Sequence, residues 1–362
     1  MAKEIKGTVK DTEGRGIAGV VVSDGLNTVT TDSKGRYKMD ADQDSRFIFV
    51  STPAGYISST LESKTLFYKE IRNKTKSYDF VLQKNSKDDK NHNVIVIADP
   101  QISERSELAD LAKQSEDITE FVKQMDGDYT FGICLGDIVG WDHSIYPEYN
   151  RIMGKAGIDY RYVIGNHDMT NWGRSYETSM KNYGDMYGPA WYSFNVGEVH
   201  YIVLNDNFYV GRDYFYIGYL DERQLKWLEK DLSYVEPGSR VIVSLHIQTT
   251  NDKSDRDAFQ YGIIGDNHFY RGSELGGCVI GIRQNVGGNI AGGIGNVVQL
   301  VVFQPRNGDT ELVIAQMHQV PLCVITILLG AVPVTQIIPV FGIITALRQI
   351  VAALQFNAVN DN

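Results

Sequence analysis

Tyr162-Val163-Ile164-Gly165-Asn166-His167-Asp168 is the stretch on which the reading of this 362-residue chain turns. Three apolar residues read as a short buried strand, and a glycine followed by three polar side chains arrives at its end. In open α/β sheets, ligands bind outside the carboxyl ends of the strands. Taken alone, such a tetrapeptide reads as a turn. The same arrangement recurs, however. Val94-Ile95-Val96-Ile97-Ala98 runs into Asp99-Pro100-Gln101, and Phe131-Gly132-Ile133-Cys134-Leu135 runs into Gly136-Asp137, with Trp141 and Asp142 just beyond. Val241-Ile242-Val243-Ser244-Leu245 ends in His246. A parallel sheet would gather these ends, and their oxygen and imidazole donors, on one edge. Two carboxylates, an Asn, a Gln and a His suit hard or borderline divalent cations such as Mn, Fe or Zn. Two such ions about 3.5–4 Å apart can clamp a phosphoryl group and lower the pKa of a water between them.

In this order, each behind a strand, Asp99-Pro100-Gln101, Gly136-Asp137, Gly165-Asn166-His167-Asp168 and His246 resemble the motifs of the calcineurin-like metallophosphoesterase superfamily, over residues 94–250. The resemblance implies an α/β (α+β) sandwich core, two divalent metal ions as cofactors and a small phosphoester as substrate. It implies that Asp137 bridges both ions, that Asp99 binds one, and that Asn166 and His246 bind the other. His167 would contact the phosphate and protonate the leaving oxygen, with Asp168 orienting it. The implied activity is phosphoester hydrolysis by a metal-activated water. Two departures from the family pattern stand out. Gln101 replaces a customary His, although its amide carbonyl can still ligate a metal. No Gly-His-x-His follows His246. The nearest string is Gly265-Asp266-Asn267-His268, so His268 is carried as an additional candidate ligand, and His318 is the only other downstream histidine. The alternative these departures raise is a catalytically degenerate binding or scaffold protein on the same fold.

Upstream, residues 1–84 alternate apolar and polar residues in short runs, such as Ile5 to Val9 and Phe47 to Val50. Turn clusters such as Asp11-Thr12-Glu13-Gly14 and Asp32-Ser33-Lys34-Gly35 separate them. That pattern predicts an all-β sandwich. Gly14-x-Gly16-Ile17-x-Gly19-Val20 with Thr31-Asp32-x-x-Gly35-x-Tyr37 is similar to carboxypeptidase regulatory-like, transthyretin-like domains, which implies a module without catalytic residues of its own. Residues 85–93 are polar throughout and read as a linker, with His92 a solvated loop residue. The core is expected over residues 94–261. Within it, Leu108, Leu111, Ile118, Phe121, Val122 and Met125 recur at helical spacing after Ser106, read as the N-cap. Asp221 caps a second helix whose Leu225, Leu228 and Leu232 share a face, and its sequence resembles a helix common in metallophosphoesterases. His200 reads as a structural histidine, Cys134 as a small core hydrophobe, Asp142 as a loop residue, Trp141 as packing, and Asn205-Asp206-Asn207 as a pocket rim. The aromatics from Tyr183 to Tyr219 read as an aromatic-rich hairpin.

The net charge of −10 argues against a nucleic-acid surface as the main partner. It leaves room for a small phosphoester, because a metal supplies positive charge locally. Three widely spaced cysteines form no disulfide framework. Met1-Ala2-Lys3-Glu4 begins no apolar h-region, so no signal peptide is read; the resemblance of the β-domain implies an exported bacterial protein. The composition shifts at about residue 262, and from Leu312 to Leu347 there is not one Asp, Glu, Lys or Arg. Residues 262–362 therefore carry three expectations. They form a β-rich C-terminal domain, a membrane attachment through an apolar span of ~20 residues, or a segment foreign to the original gene.

Overall fold

The computed structural model describes residues 3–125, 127–212, 215–236, 239–247, 278–283, 298–306 and 309–317. The runs at Val94, Phe131 and Val241 are strands to within a residue of their ends. Of Tyr162-Val163-Ile164 only Tyr162 is strand, closing Tyr160–Tyr162, with Val163 and Ile164 leading on to Gly165. Those of the main sheet among these strands are parallel. Asp88–Ile97 pairs in parallel with Asp128–Cys134, and that strand pairs in parallel with Tyr160–Tyr162. Register places Ile97, Cys134 and Tyr162 in one row, so Asp99, Asp137 and Asn166 leave the sheet at the same edge. The fourth run, Arg240–Leu245, belongs to a second sheet, where it lies parallel to Val199–Val203 beside Tyr192–Val196. His246 therefore reaches the site from a different sheet, and not from the common edge that the apolar runs alone suggested.

Both faces of the main sheet are buried, which is why its strands read as continuous apolar runs rather than alternations. Val94, Val96, Phe131 and Ile133 share one apolar core with Tyr201, Val203, Val241 and Val243 of the second sheet. Ile95, Ile97 and Cys134 face the other way, into a core with Leu111, Ile118 and Phe121 of the helix Leu108–Gln124 and with Tyr149 and Met153 of the helix Tyr146–Met153. The result is the layered α/β sandwich expected. A 3-10 turn, Arg105–Glu107, opens the first helix, and Ser106 lies inside that turn. The Glu107 carboxylate does the capping instead, accepting from the N–H groups of Ser103 and Glu104. Asp221 caps Glu222–Leu232 as read, accepting from the N–H groups of Arg223 and Gln224. On that helix Asp231 accepts from Ser193 Oγ at 2.7 Å and meets His200 Nε2 at 2.8 Å, which gives His200 a buried structural partner.

The N-terminal residues form two four-stranded sheets. One orders Arg36–Ala41, Lys3–Asp11, Phe80–Lys84 and Tyr56–Ser58; the other orders Thr28–Thr30, Val21–Ser23, Phe47–Val50 and Tyr68–Glu70. Lys3–Asp11 buries every second residue (Ile5, Gly7, Val9, Asp11), the period-two pattern of a one-sided strand. This sandwich is not separate from the core. Its hairpin Thr60–Leu61 and Lys64–Thr65 extends the main sheet beside Tyr160–Tyr162, where Tyr160 N–H donates to Ser63 C=O at 2.8 Å. The stretch read as a linker also differs, because residues 88–93 belong to the strand Asp88–Ile97. His92 is buried rather than solvated. Its Nε2 lies 2.6 Å from the Tyr201 hydroxyl and its Nδ1 2.9 Å from the Asp89 carbonyl, and burial pushes the imidazole down to about 4.

Beyond residue 262, three strands are described. Cys278–Arg283 runs antiparallel to Arg240–Leu245, Val298–Arg306 runs parallel to Asp88–Ile97, and Asp309–Met317 pairs antiparallel with Val298–Arg306. They extend both core sheets. His268, His318 and the apolar run from Val320 to Leu347 lie outside the described residues. Among the described residues, no helix is long and apolar enough to cross a membrane.

Candidate active site

The site is built around Asp137. After Asp128–Cys134 the chain turns through Gly136 (φ 93°) and Asp137 (φ 50°), which aims the carboxylate back across the strand ends. Its Oδ1 accepts from the His167 backbone N–H at 2.8 Å, and its Oδ2 accepts from Gln101 Nε2 at 2.9 Å. Gln101 N–H also donates to the Asp137 carbonyl at 2.7 Å, so the two strand-end loops are zipped together. Asp99 and Gln101 share the turned backbone, with φ of 56° and 40°. Left-handed conformations are uncommon for residues with side chains and gather at functional sites.

His246 closes the arrangement from the second sheet. Its Nδ1 lies 2.9 Å from the Leu135 carbonyl. A carbonyl can only accept, so Nδ1 carries a proton and Nε2 is the variable nitrogen. Nε2 lies 2.9 Å from Asn166 Oδ1 and 3.5 Å from Asp137 Oδ2. Burial opposes charge on the ring, but the Asp137 carboxylate outweighs it and lifts His246 to about 10, with Asp99 adding to the effect. Burial likewise works to raise Asp137, and the His246 charge and hydrogen bond hold it down at about 2.

These residues suit a divalent ion. A histidine whose far nitrogen is fixed by a backbone carbonyl, and whose near nitrogen faces a carboxylate and an amide oxygen, has the orientation of a metal ligand. The Asn166 Nδ2 is buried with no hydrogen-bond partner among the described residues, at a cost of about 1–3 kcal/mol that an acceptor oxygen of a bound anion, rather than a cation, would relieve. Asp99, Asp137 and His246 do not close into a compact cluster, and among the described residues no group of three or more His, Cys, Asp or Glu does so. The donor set is thus a mixed one of carboxylate, imidazole and amide.

Asp168 has a different part from the expected one. Its carboxylate accepts from the N–H groups of Ile138 and Gly165 and from the Tyr146 hydroxyl, at 2.9–3.1 Å for the shortest contact with each. It braces the backbone of the loop that carries His167 rather than gripping the imidazole. Burial, reinforced by repulsion from Asp137, pushes Asp168 up to about 7. His143, which the sequence did not single out for a role, holds the same loop. Its Nε2 lies 2.9 Å from the His167 carbonyl, its Nδ1 2.7 Å from Asn182 Nδ2, and its ring stacks on Tyr146. Asp142 accepts from Ser144 N–H and Oγ and caps the 3-10 turn His143–Ile145.

Asp206, read as rim, lies beneath the site. Its carboxylate accepts from the N–H groups of His246 and Ile247 at 3.2 and 2.9 Å. Burial, only partly offset by the His246 charge, raises it to about 7. A carboxyl whose folded pKa lies above its unfolded value contributes stability below the unfolded pKa and loses it as pH rises through the folded one. Between pH 5 and 8 the metal-free protein is therefore expected to lose stability, and Asp206→Asn to make that slope shallower. Urea midpoints of both proteins at the two pH values check this; parallel slopes would refute it.

A cavity of about 480 Å³ lies elsewhere, between the N-terminal sandwich and the core, lined by residues including Arg46, Phe47, Trp191, Phe208 and Arg223. None of the converging donors lines it.

Residues 3–85 match the model of a family described as the N terminal of calcineurin-like phosphoesterase. That match lies on the N-terminal sandwich alone, and it says nothing of carboxypeptidase regulatory-like domains. Among solved structures, the chain is similar to purple acid phosphatase PPD1 isolated from yellow lupin (Lupinus luteus) seeds, with 14% identity and a TM-score of 0.35. The likeness covers 70% of this chain and 50% of that one, so the chain spans about half that phosphatase's length. No curated protein matches the chain.

Proposed function

We propose that this chain is a metal-dependent hydrolase of small phosphoesters. The observation that carries the proposal is the aim of His246. Pinned at Nδ1 by Leu135, it points Nε2 at Asn166 Oδ1 and Asp137 Oδ2. Asp99, Gln101, Asp137, Asn166 and His246 are the residues that would hold two divalent ions, Mn, Fe or Zn, with His268 as a further candidate. Such ions, when bound, supply the charge that neutralises phosphoryl oxygens and activates water.

The remaining residues position and protonate. His167 is fixed at both sides of its backbone, its N–H by Asp137 Oδ1 and its C=O by His143 Nε2. Its imidazole is the group proposed to give a proton to the leaving oxygen. Asp168 and Tyr146 keep that loop from sagging away from the donors. Elemental analysis of protein reconstituted with Mn, alongside hydrolysis of an aryl phosphate and its bis-aryl diester, tests the proposal. The expected result is retained metal with turnover that a chelator removes. Less than one equivalent of metal and no turnover would leave a phosphoesterase-like fold used for binding or scaffolding.

A further inference from the structure

Trp141 lies beside His167 and Phe215 lies beside Trp141, and neither has a part in the metal-binding or proton-transfer groups. Trp141 and Phe215 have φ of 78° and 63°. Bulky side chains avoid this region, and holding one there is costly. Among the described residues six non-glycine positions have positive φ. Three are Asp99, Gln101 and Asp137, two are Trp141 and Phe215, and only Glu62 lies away from the site. Strain at Asp99, Gln101 and Asp137 aims donors at one another. The strain at Trp141 and Phe215 aims rings.

The Trp141 ring lies against His167, and Phe215, which also packs against the helix-side core, lies behind Trp141. The Trp141 ring lies 4.4 Å from the imidazole, tilted by 42°, and 5.5 Å from the Phe215 ring. Tyr209 meets Phe215 edge-on at 5.9 Å and braces it from behind. Core packing does not explain Trp141, which is half-buried and belongs to neither apolar core. Its backbone is held in a costly conformation, and its ring is offered beside the group proposed to protonate the leaving oxygen.

We propose that Trp141 and Phe215 form a leaving-group subsite that selects phosphoesters whose alcohol carries a flat aromatic face, an aryl group or a nucleoside. The inference rests on the hydrolase reading and on His167 as the proton donor, which together place the leaving group against this wall. Every aryl group and base has a π-face, so stacking on aromatic side chains recognises the class without hydrogen-bond readout. The charge of −10 favours a single small phosphoester over a polymer as the bearer of that face.

The test is the ratio of kcat/KM for phenyl phosphate to that for glycerol phosphate, in wild type, Trp141→Gly and Phe215→Leu. Stacking of one aromatic group is worth about 1–3 kcal/mol, so the ratio is expected to fall about tenfold in Trp141→Gly. A merely structural role moves the ratio the other way. A mispositioned His167 harms the alkoxide of glycerol, which needs protonation, more than phenoxide, which leaves more readily. An unchanged or increased ratio therefore overturns the subsite. Trp172, 87% exposed, supplies the control: Trp172→Phe leaves the ratio where it was. Should wild type hydrolyse neither ester, the hydrolase reading fails, and calorimetry with phenylphosphonate and methylphosphonate judges the subsite separately. Wild type is expected to prefer phenylphosphonate about tenfold and Trp141→Gly to lose that preference; equal affinities in wild type overturn the proposal.

Discussion

Asp137→Asn is expected to lose metal retention and to lower turnover by roughly 10³-fold or more, beyond the 10–100-fold typical of a residue that only supports a ligand. Asp137 is where the site's interactions meet. One carboxylate oxygen receives the His167 N–H, the other receives Gln101 Nε2 and faces His246 Nε2. Asparagine keeps an oxygen for His167, so the loop should hold its path. It turns an N–H₂ toward Gln101 and His246, however, and removes the anion that balances His246. With that charge gone, burial is opposed only by the more distant charges of Asp99 and Asp206, and the imidazole pKa drops from about 10. The sign on stability follows. In the metal-free wild type, the raised His246 contributes stability that is fully present below its unfolded pKa and lost as pH rises through about 10. In Asp137→Asn that loss on the alkaline side shrinks, in a protein already weaker at neutral pH, because breaking a buried pair from one side costs about 3–5 kcal/mol. Metal analysis, turnover and an NMR titration of the His246 ring report these effects separately. A fully active Asp137→Asn protein would sink the assignment of Asp137 as the shared ligand.

The strand ends were legible because burial on both faces leaves an unbroken apolar run, and because Gly136-Asp137 and Gly165-Asn166-His167-Asp168 punctuate those runs with donors. Which sheet each run joins was not legible. Val241 to Leu245 is as apolar as Val94 to Ala98, yet it lies in the second sheet, so His246 faces the other donors instead of standing in line with them. Partners distant in sequence also hid residues. His92 looked solvated among Lys90, Asn91 and Asn93, but its ring is satisfied by Tyr201, 109 positions away. Asp168 sits beside His167 in the chain, and adjacency suggested a pair. Its lone pairs go instead to Ile138, Gly165 and Tyr146. The positive φ of Gln101 and Trp141 falls on residue types that carry no such signal, and that of Asp99 and Asp137 on a type that carries only a weak one, whereas a glycine would have announced the turn. The hairpin that carries the N-terminal sandwich into the core sheet consists of two-residue strands, too short for any periodicity to show.

Gly165→Ala is the second large effect, and it arises from space rather than backbone conformation. A Cβ at this position would lie 2.1 Å from both Asp137 N and Asp137 Oδ1. Neither atom can give way cheaply. The Asp137 backbone is tied by Gln101 N–H to its carbonyl, and its Oδ1 is the acceptor for His167 N–H. Gly165 cannot retreat either, since its own N–H is held by Asp168 Oδ2 at 2.9 Å. One methyl group therefore has to part the two loops that carry Asp137 and Asn166. Overpacking of this kind costs about 1–3 kcal/mol, and the broken contacts to Asp137 add about 1 kcal/mol each. The expected variant is a folded but weaker protein with little metal and little turnover. Gly14→Ala separates this steric effect from the general cost of replacing a glycine. Gly14 has φ of 80° and nothing within 4 Å of its added Cβ, so alanine there should cost about 1 kcal/mol and leave metal retention untouched. If Gly165→Ala instead keeps its metal and loses only as much stability as Gly14→Ala, the close apposition of the two loops is not what assembles the site.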